Sequence, residues 1–322
     1  MRPALRAGLL AVWRDRDTIQ IGVDPRRAVA LTGVGAAAAM IGLLDGSRDR
    51  VQVVSAAVQL GIPAQLAERM LELLAAAGAL VDFPAALLRA LPAELRPQLL
   101  PELAAASLAG LDADGGAQVL TRRAAAAVHV CGAGRIPAAI ADVLTASGVA
   151  AIVTPEADGV VPRASGGQAP VPALVILPDY HPAGHPLPQP ADQLRRDGVA
   201  HLAVSAGEAI GTVGPLVRPG ISACLRCVDL GRAERDPAWP LIRAQLSGRQ
   251  PQPLACDAAL AAAVAAQAAA QALQFIDRPT APGPAENATL ELVQPGWQWR
   301  RRSWPPHPAC TCRASEADQV RS

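Results

Sequence analysis

Three features of this 322-residue sequence predict an α/β fold. A strand–turn–helix–strand unit runs from Ala126 to Asp158. A small α+β unit precedes it over residues 1–84, and a C-terminal part carries two close cysteine pairs, Cys224/Cys227 and Cys310/Cys312. At this length two domains are expected, with enough chain for a sizeable core.

In the N-terminal unit, Thr18–Val23 and Ala28–Leu31 are two short extended runs split by Asp24-Pro25, which signals a hairpin. Gly35–Leu44 reads as helical and is stopped by Asp45-Gly46. Val51–Leu60 and Pro63–Ala76 read as two further helices joined at Gly61, and Gly78–Asp82 closes the unit as a strand. Helices, a hairpin and a closing strand predict a winged-helix-like arrangement. The second helix carries Glu68, Arg69 and Glu72 rather than a basic face, so DNA is not its expected partner. A wing edge can instead accept a peptide as an added strand through main-chain hydrogen bonds. The alternative is a packing domain without a ligand. Residues 85–125 read as a proline-punctuated connector with amphipathic pieces at Ala93–Leu100 and Glu102–Leu108, broken at Asp112–Gly116 before a helix that leads to Arg122-Arg123.

The central unit starts with the apolar run Val128–Val130, turns at Gly132-Ala133-Gly134, and continues at helical spacing from Ile136 to Leu144. Gly148 stands where a helix C-cap belongs, and Val149–Val153 is the next strand, followed by Glu156 and Asp158. In a parallel βαβ unit this order aims backbone N–H groups at an anion and sets an acid about twenty residues on, near a ribose hydroxyl. The third glycine of the dinucleotide fingerprint is replaced by Pro137, whose ring is expected to push the helix outward. A Rossmann-like corner that binds nothing is the competing reading.

Beyond it, Val160–Pro172 reads as a loop and Ala173–Leu177 as a core strand ending at Pro178-Asp179, where parallel sheets place ligands. His181 and His185 lie in a proline-rich loop and read as surface rather than as a metal pair. A helix ends near Gly198, His201–Val204 is a further strand, and Ile210–Val217 begins an antiparallel segment. Ala258–Ile276 is long and apolar, but Gln267, Gln271 and Gln274 form a polar stripe along it, so it reads as a buried helix rather than a membrane span.

Net charge is +1, which excludes a global field for nucleic acid or anionic membranes. All 29 basic residues are arginine; the chain has no lysine. Leu9–Trp13 is too short for a secretory core, and a cytoplasmic location is expected. In that compartment six cysteines argue for metal or free thiols rather than disulfides. Cys224-x-x-Cys227 and Cys310-x-Cys312 supply four thiolates in two chelating turns, the donor set of a closed structural zinc site. A redox dithiol is the weaker alternative, since Cys224-x-x-Cys227 is not expected to open a helix after a thioredoxin-like strand. Cys131 reads as a small buried hydrophobe. Cys256, just before the alanine-rich helix, reads as buried or as a thiol activated by the helix dipole.

The run Gly214–Gly220 leading to Cys224 and Cys227, then Cys256, the alanine-rich helix and His307–Cys312, resembles the ThiF-like superfamily, relatives of ubiquitin-activating enzymes. The N-terminal unit and the spacing look most like an actinobacterial branch of cyclodehydratase or leader-peptide-binding partners for thiazole- and oxazole-modified peptides. The resemblance implies a Rossmann-like, ThiF-type mixed sheet over residues 126–322, with structural zinc on Cys224, Cys227, Cys310 and Cys312. Its adenylating members bind ATP with magnesium and activate a carboxylate. Carried over, Gly132, Gly134 and Arg135 would face the phosphates, Glu156 or Asp158 the ribose, and Asp179 the magnesium. The Asn-Leu-x-Arg-Gln segment expected after the acid has only Arg163 as a counterpart, and the catalytic lysine has none. A planar guanidinium does not replace a lysine point charge. The resemblance therefore implies a partner protein with a degenerate adenylation site, which binds a precursor leader peptide and presents it to a modifying enzyme. Relatives often pair their α/β domains, so a homodimer is the assembly the resemblance implies, while the near-zero net charge gives no expectation of nucleic acid or membrane as partners. An active, arginine-assisted adenylyltransferase is the alternative.

Overall fold

Segments of three apolar residues are too short to bury themselves alone, and the first of the two units, Met1–Thr121, solves this by pairing them. The computed structural model describes residues 1–110, 112–154, 172–178, 189–246 and 255–313. In chain order the first unit contains β1 (Pro3–Leu5), β2 (Ala11–Trp13), β3 (Ile19–Ile21), β4 (Val29–Leu31), a 3₁₀ stretch at Gly35–Leu43, α1 (Arg50–Gln59), α2 (Ala64–Ala76), β5 (Leu80–Asp82), α3 (Ala85–Ala90) and α4 (Arg96–Ala109). Helix α5 (Ala117–Ala125) runs across the boundary into the second unit. Strand β1 pairs antiparallel with β5, and β2-β3-β4 form a separate antiparallel sheet with β2 and β4 at its edges. Ile19, Ile21 and Leu31 pack with Met40, Val53, Met70 and Leu74 into one core. Asp49 accepts from the Gln52 N–H while the Gln52 side chain returns to the Asp49 N–H, a reciprocal cap that fixes the start of α1.

Residues 85–121 belong to the same compact unit. One buried side chain joins them to it: Arg6 donates from Nε to the Gly78 carbonyl at 2.7 Å and from its amino groups to the carbonyls of Ser107, Gly110 and Asp112. Burial pulls the Arg6 pKa down, and nearby Asp114 and Asp112 oppose that shift. The two amphipathic pieces expected around residue 100 are a single helix, α4, with Pro101 inside it.

The second unit, Arg122–Ser322, is built on a seven-stranded sheet. Its elements are β6 (Ala127–Cys131), α6 (Arg135–Ala146), β7 (Ala150–Thr154), β8 (Leu174–Leu177), α7 (Gln189–Arg196), β9 (His201–Gly207), β10 (Ile210–Val217), α8 (Leu225–Arg235), α9 (Trp239–Leu246), α10 (Ala258–Asp277), β11 (Ala288–Val293) and β12 (Gln298–Ser303). Strand order is β12-β11-β10-β9-β8-β6-β7. The β7, β6, β8 and β9 strands run parallel, and β9 through β12 alternate antiparallel.

Strand β8 is buried on both sides, as expected where helices cover a parallel sheet on each face. Leu174 and Ile176 join Val128, Val130, Leu202 and Val204 against α6 and α10, while Val175 and Leu177 meet Ala191, Leu194 and Leu225. The alanine-rich α10 is long and apolar enough to cross a membrane, and here it is a core helix packed on the sheet and α6. Small residues let it approach closely. A Cβ added at Gly211 of β10 would lie 2.3 Å from Val264 Cγ2. Gln271, within the polar stripe, is buried and accepts the Ala285 N–H at 3.1 Å. At the far end, Arg123 clamps Asp277 with Nε–Oδ1 of 2.9 Å and Nη2–Oδ2 of 2.7 Å, a bidentate pair with little exposure.

Candidate functional site

Two places in the second unit concentrate chemistry. The first is the turn after β6. Gly132 and Gly134 have φ of 95° and 107°, a region that side-chain-bearing residues rarely enter. Gly134 is the N-cap of α6 and offers no side-chain cap, so the first N–H groups of that helix keep their bonding capacity. A Cβ at Gly134 would meet nothing within 4 Å, which leaves open space in front of the helix end. Pro137 is buried in the first turn, where its missing N–H costs no helical bond. Arg135 is exposed at the first helical position and close enough to Asp257 to lower its pKa, although the main cause of that lowering is the Leu260 N–H. Asp257 is the N-cap of α10; it accepts from Leu260 N at 2.7 Å and from Gln294 Nε2 at 3.0 Å. Glu156, Asp158 and Asp179 lie outside the described residues, as do Arg163, His181 and His185. Cys131 is half-buried beside the apolar contacts of β8 and α7, and Cys256 is half-buried against the main core.

The second place is the cysteine cluster. The Sγ atoms of Cys224, Cys227, Cys310 and Cys312 all lie within 4.8 Å of one another. Cys224–Cys227 is 3.8 Å, Cys224–Cys310 3.7 Å and Cys227–Cys312 3.5 Å. A tetrahedral zinc with Zn–S bonds of ~2.3 Å has sulfurs ~3.8 Å apart, so the four donors fit such an ion and could hold a metal. The Cys-x-x-Cys pair opens a helix, with Cys224 as the N-cap of α8 and Cys227 in its first turn, but the strand before it is the antiparallel β10 rather than a thioredoxin-like parallel strand. The other two sulfurs lie at bonding reach of the same centre, which a two-thiol redox motif does not explain.

The approaches to this cluster are pinned from both sides. Arg218 donates from Nε to Glu286 at 2.8 Å and lies 4.8 Å from the Phe275 ring centroid. Its own N–H is held by Ser222 Oγ at 2.7 Å, and the Ala223 N–H donates to Asn287 Oδ1 at 2.7 Å, directly before Cys224. On the tail, Trp304 is 2% exposed and donates from Nε1 to Thr289 Oγ1 at 2.9 Å. Past it, the Cys310 N–H bonds the His307 carbonyl at 2.9 Å, and the His307 N–H points at the Cys227 sulfur. Hydrogen bonding from Cys224 lowers the Cys227 pKa and raises that of Cys224, while burial pushes Cys312 up. Without a metal the four thiols cannot all ionise together; a divalent cation removes that conflict.

Sequence reasoning did not anticipate a cavity of about 410 Å³ at the carboxyl end of β9. Ser205, Thr212, Arg232, Arg235, Trp239 and Trp304 are among its lining residues. Arg232 lies 4.9 Å and 5.6 Å from the ring centroids of Trp239 and Trp304, and Arg235 lies 4.5 Å from that of Trp304. Only proximity in the fold brings these residues together. The sole hint in the chain was its scarcity of aromatics, eight in all, five of them tryptophan.

Comparison with known proteins sets this geometry in context. No family model and no curated protein sequence matches the chain. Solved structures do. The heterocyclase TruD superposes with a TM-score of 0.69 at 17% identity, covering 99% of this chain and 44% of TruD. A heterocyclase in complex with substrate and cofactor gives 0.69 at 18% identity, over 96% of this chain and 39% of the other. E. coli MccB gives 0.62 at 13% identity over 98% of both chains, and its complex with AMPCPP and MccA gives 0.66 at 13% over 98% and 100%.

The chain has a ThiF-like fold. It spans less than half the length of the heterocyclases and the whole length of MccB. The expected mixed sheet with a preceding α+β unit is the architecture found.

Proposed function

We propose that this chain is a ThiF-like partner protein in the biosynthesis of ribosomally made, thiazole- or oxazole-modified peptides. In this reading, residues 1–84 bind the leader segment of a precursor and residues 85–125 connect them to a ThiF-like domain at 126–322. The bound peptide is presented to a separate modifying enzyme, and the protein acts in the cytoplasm as a homodimer. Structural zinc sits on Cys224, Cys227, Cys310 and Cys312 and ties the tail to the sheet. The zinc supplies folding energy and leaves no open coordination position for catalysis.

The observation that carries the reading is the small sheet β2-β3-β4, both edges of which are unpaired among the described residues. Gly22 N bonds Leu10 O and Arg14 N bonds Thr18 O, so the intervening Ala11 and Trp13 turn their backbone groups away from β3. By the same alternation Ala30, opposite Gln20, turns its backbone groups outward from β4. An extended peptide adds to such an edge through main-chain bonds without needing a charged surface. The likeness to a heterocyclase captured with substrate, and to MccB captured with MccA, supports a peptide as the ligand.

The degenerate adenylation site is argued from chemistry. A triphosphate needs fixed cations at the reacting phosphates, and the chain has no lysine to place there. A second reading, an active adenylyltransferase, is favoured by the open Gly132–Gly134 turn and the cavity at the carboxyl end of β9. Magnesium-ATP would then rest on Gly132, Gly134 and Arg135, with Glu156, Asp158 and Asp179 as the acidic partners. ATP–pyrophosphate exchange in the presence of the precursor peptide separates the two. The first reading expects no exchange above background; robust exchange that Asp179→Asn abolishes would establish the second.

A further inference from the structure

We propose that Arg195, Arg196 and Arg226 form a cationic rim that balances the charge of the metal-loaded cysteine cluster and helps the protein retain its metal. This rests on the structural-zinc reading above. The residues meet around a cavity of about 170 Å³, bordered by Asp192, Arg195 and Arg196 of α7, by Arg226 in the first turn of α8, and by the Cys310–Cys312 tail. Three elements distant in sequence thus bring three arginines to the wall of one cavity with Cys310 and Cys312.

A zinc ion on four thiolates carries two net negative charges. Cys224, Cys227 and Cys312 are buried, so part of that charge is withdrawn from solvent and needs a protein counter-charge. The rim supplies it. Arg195 Nε is 3.8 Å from Asp192 Oδ1, a long contact that takes up one positive charge at most. Arg196 contacts the neutral Gln193 Oε1 at 3.0 Å, and among the described residues Arg226 has no carboxylate within ion-pair distance. With Asp192 set against one guanidinium, two positive charges remain for the two negative charges of the loaded centre.

The same balance argues against a phosphate-type anion in this cavity. An added anion would face a tetrathiolate whose counter-charge is already committed. The arrangement also gives α7 a role: this crossover helix between β8 and β9, which packs through Ala191 and Leu194 on Val175, Leu177, Ala203 and Leu225, is tied to the metal centre by charge.

The test uses the full chain loaded with zinc. Elemental analysis first establishes stoichiometric zinc in the wild type, and a chromogenic chelator then measures zinc affinity. Arg226→Ala and the double variant Arg195→Ala/Arg196→Ala are each expected to weaken zinc retention by about tenfold, the lower end of what outer-shell partners of metal ligands contribute. The corresponding lysine variants should recover most of the loss, because charge rather than fork geometry is required. Wild-type affinity should fall more steeply with added salt than that of the triple alanine variant. Affinities within about twofold of wild type, in variants whose circular dichroism is unchanged, would overturn the proposal. So would stabilisation of the zinc-loaded wild type by millimolar inorganic phosphate that the arginine variants abolish, since that assigns the cavity to an anion. Absence of zinc from the wild-type chain would remove the zinc reading, and the rim with it.

Discussion

His201 gives the second unit an acid sensitivity that can be calculated. The residue opens β9 between β8 and β10, is 1% exposed, and its Nδ1 lies 3.1 Å from the Val199 carbonyl. Burial drives its pKa from 6.5 down to about 4, only partly opposed by that hydrogen bond and by Asp192. The folded state therefore holds a neutral imidazole at pH values where the unfolded chain has already taken a proton. Stability from this group is complete above pH 6.5 and is lost as the pH falls towards 4. A shift of this size corresponds to about 3 kcal/mol over the full window, and roughly 2.5 kcal/mol is already lost at pH 4.5. His129, also pushed down by burial, acts in the same direction, so wild type must be compared with His201→Gln rather than read alone. Urea unfolding followed by tryptophan fluorescence at pH 7 and pH 4.5 provides the comparison. The wild-type free energy should drop by about 2–3 kcal/mol more than that of the variant. Equal pH dependence in the two proteins, or a wild type that gains stability on acidification, would show that burial of His201 does not set the acid sensitivity.

Other predictions rest on single contacts. Gly211→Ala drives a methyl group into Val264 on stiff, buried α10 and should cost about 1–3 kcal/mol in chemical denaturation. Arg6→Met leaves the carbonyls of Gly78, Ser107, Gly110 and Asp112 without their shared donor. A loss of about 2–4 kcal/mol is expected for such a buried charged network, with earlier proteolysis between residues 85 and 121. Cys312→Ser should abolish stoichiometric zinc binding and lower the melting temperature of the loaded protein; the same melting temperature with and without chelator would contradict a structural metal.

Legibility of the fold from sequence followed the length of each element. The βαβ unit was readable because α6 presents Ile136, Ile140 and Leu144 at helical spacing and Gly148 closes it with φ of 84°. Strands β1 and β2 were not, because three residues carry no measurable period; they exist through their partners β5 and β3. Helix α4 was read as two pieces because Pro101 removes one backbone donor, and the packing of Leu99 and Leu103 carries the helix through it. The spacing of the cysteine pairs alone pointed to four donors that could hold a metal. Their convergence, and the start of α8 at Cys224, depend on Arg218, Asn287 and Trp304, residues far apart in the chain whose contacts appear only once the sheet has formed. The arginines at the two cavities were hidden for the same reason, scattered among the 29 arginines of the chain.

On the proposed function, a precursor peptide binds this protein at a sheet edge of its N-terminal unit. Calorimetric titration of the purified chain with the leader segment encoded by a neighbouring gene addresses it most directly. Saturable one-to-one binding is predicted, with loss of affinity in either Ala30→Pro or Ala11→Pro, whichever removes the outward donor of the edge in use. No heat of binding, or binding that both proline variants leave intact, would contradict the account.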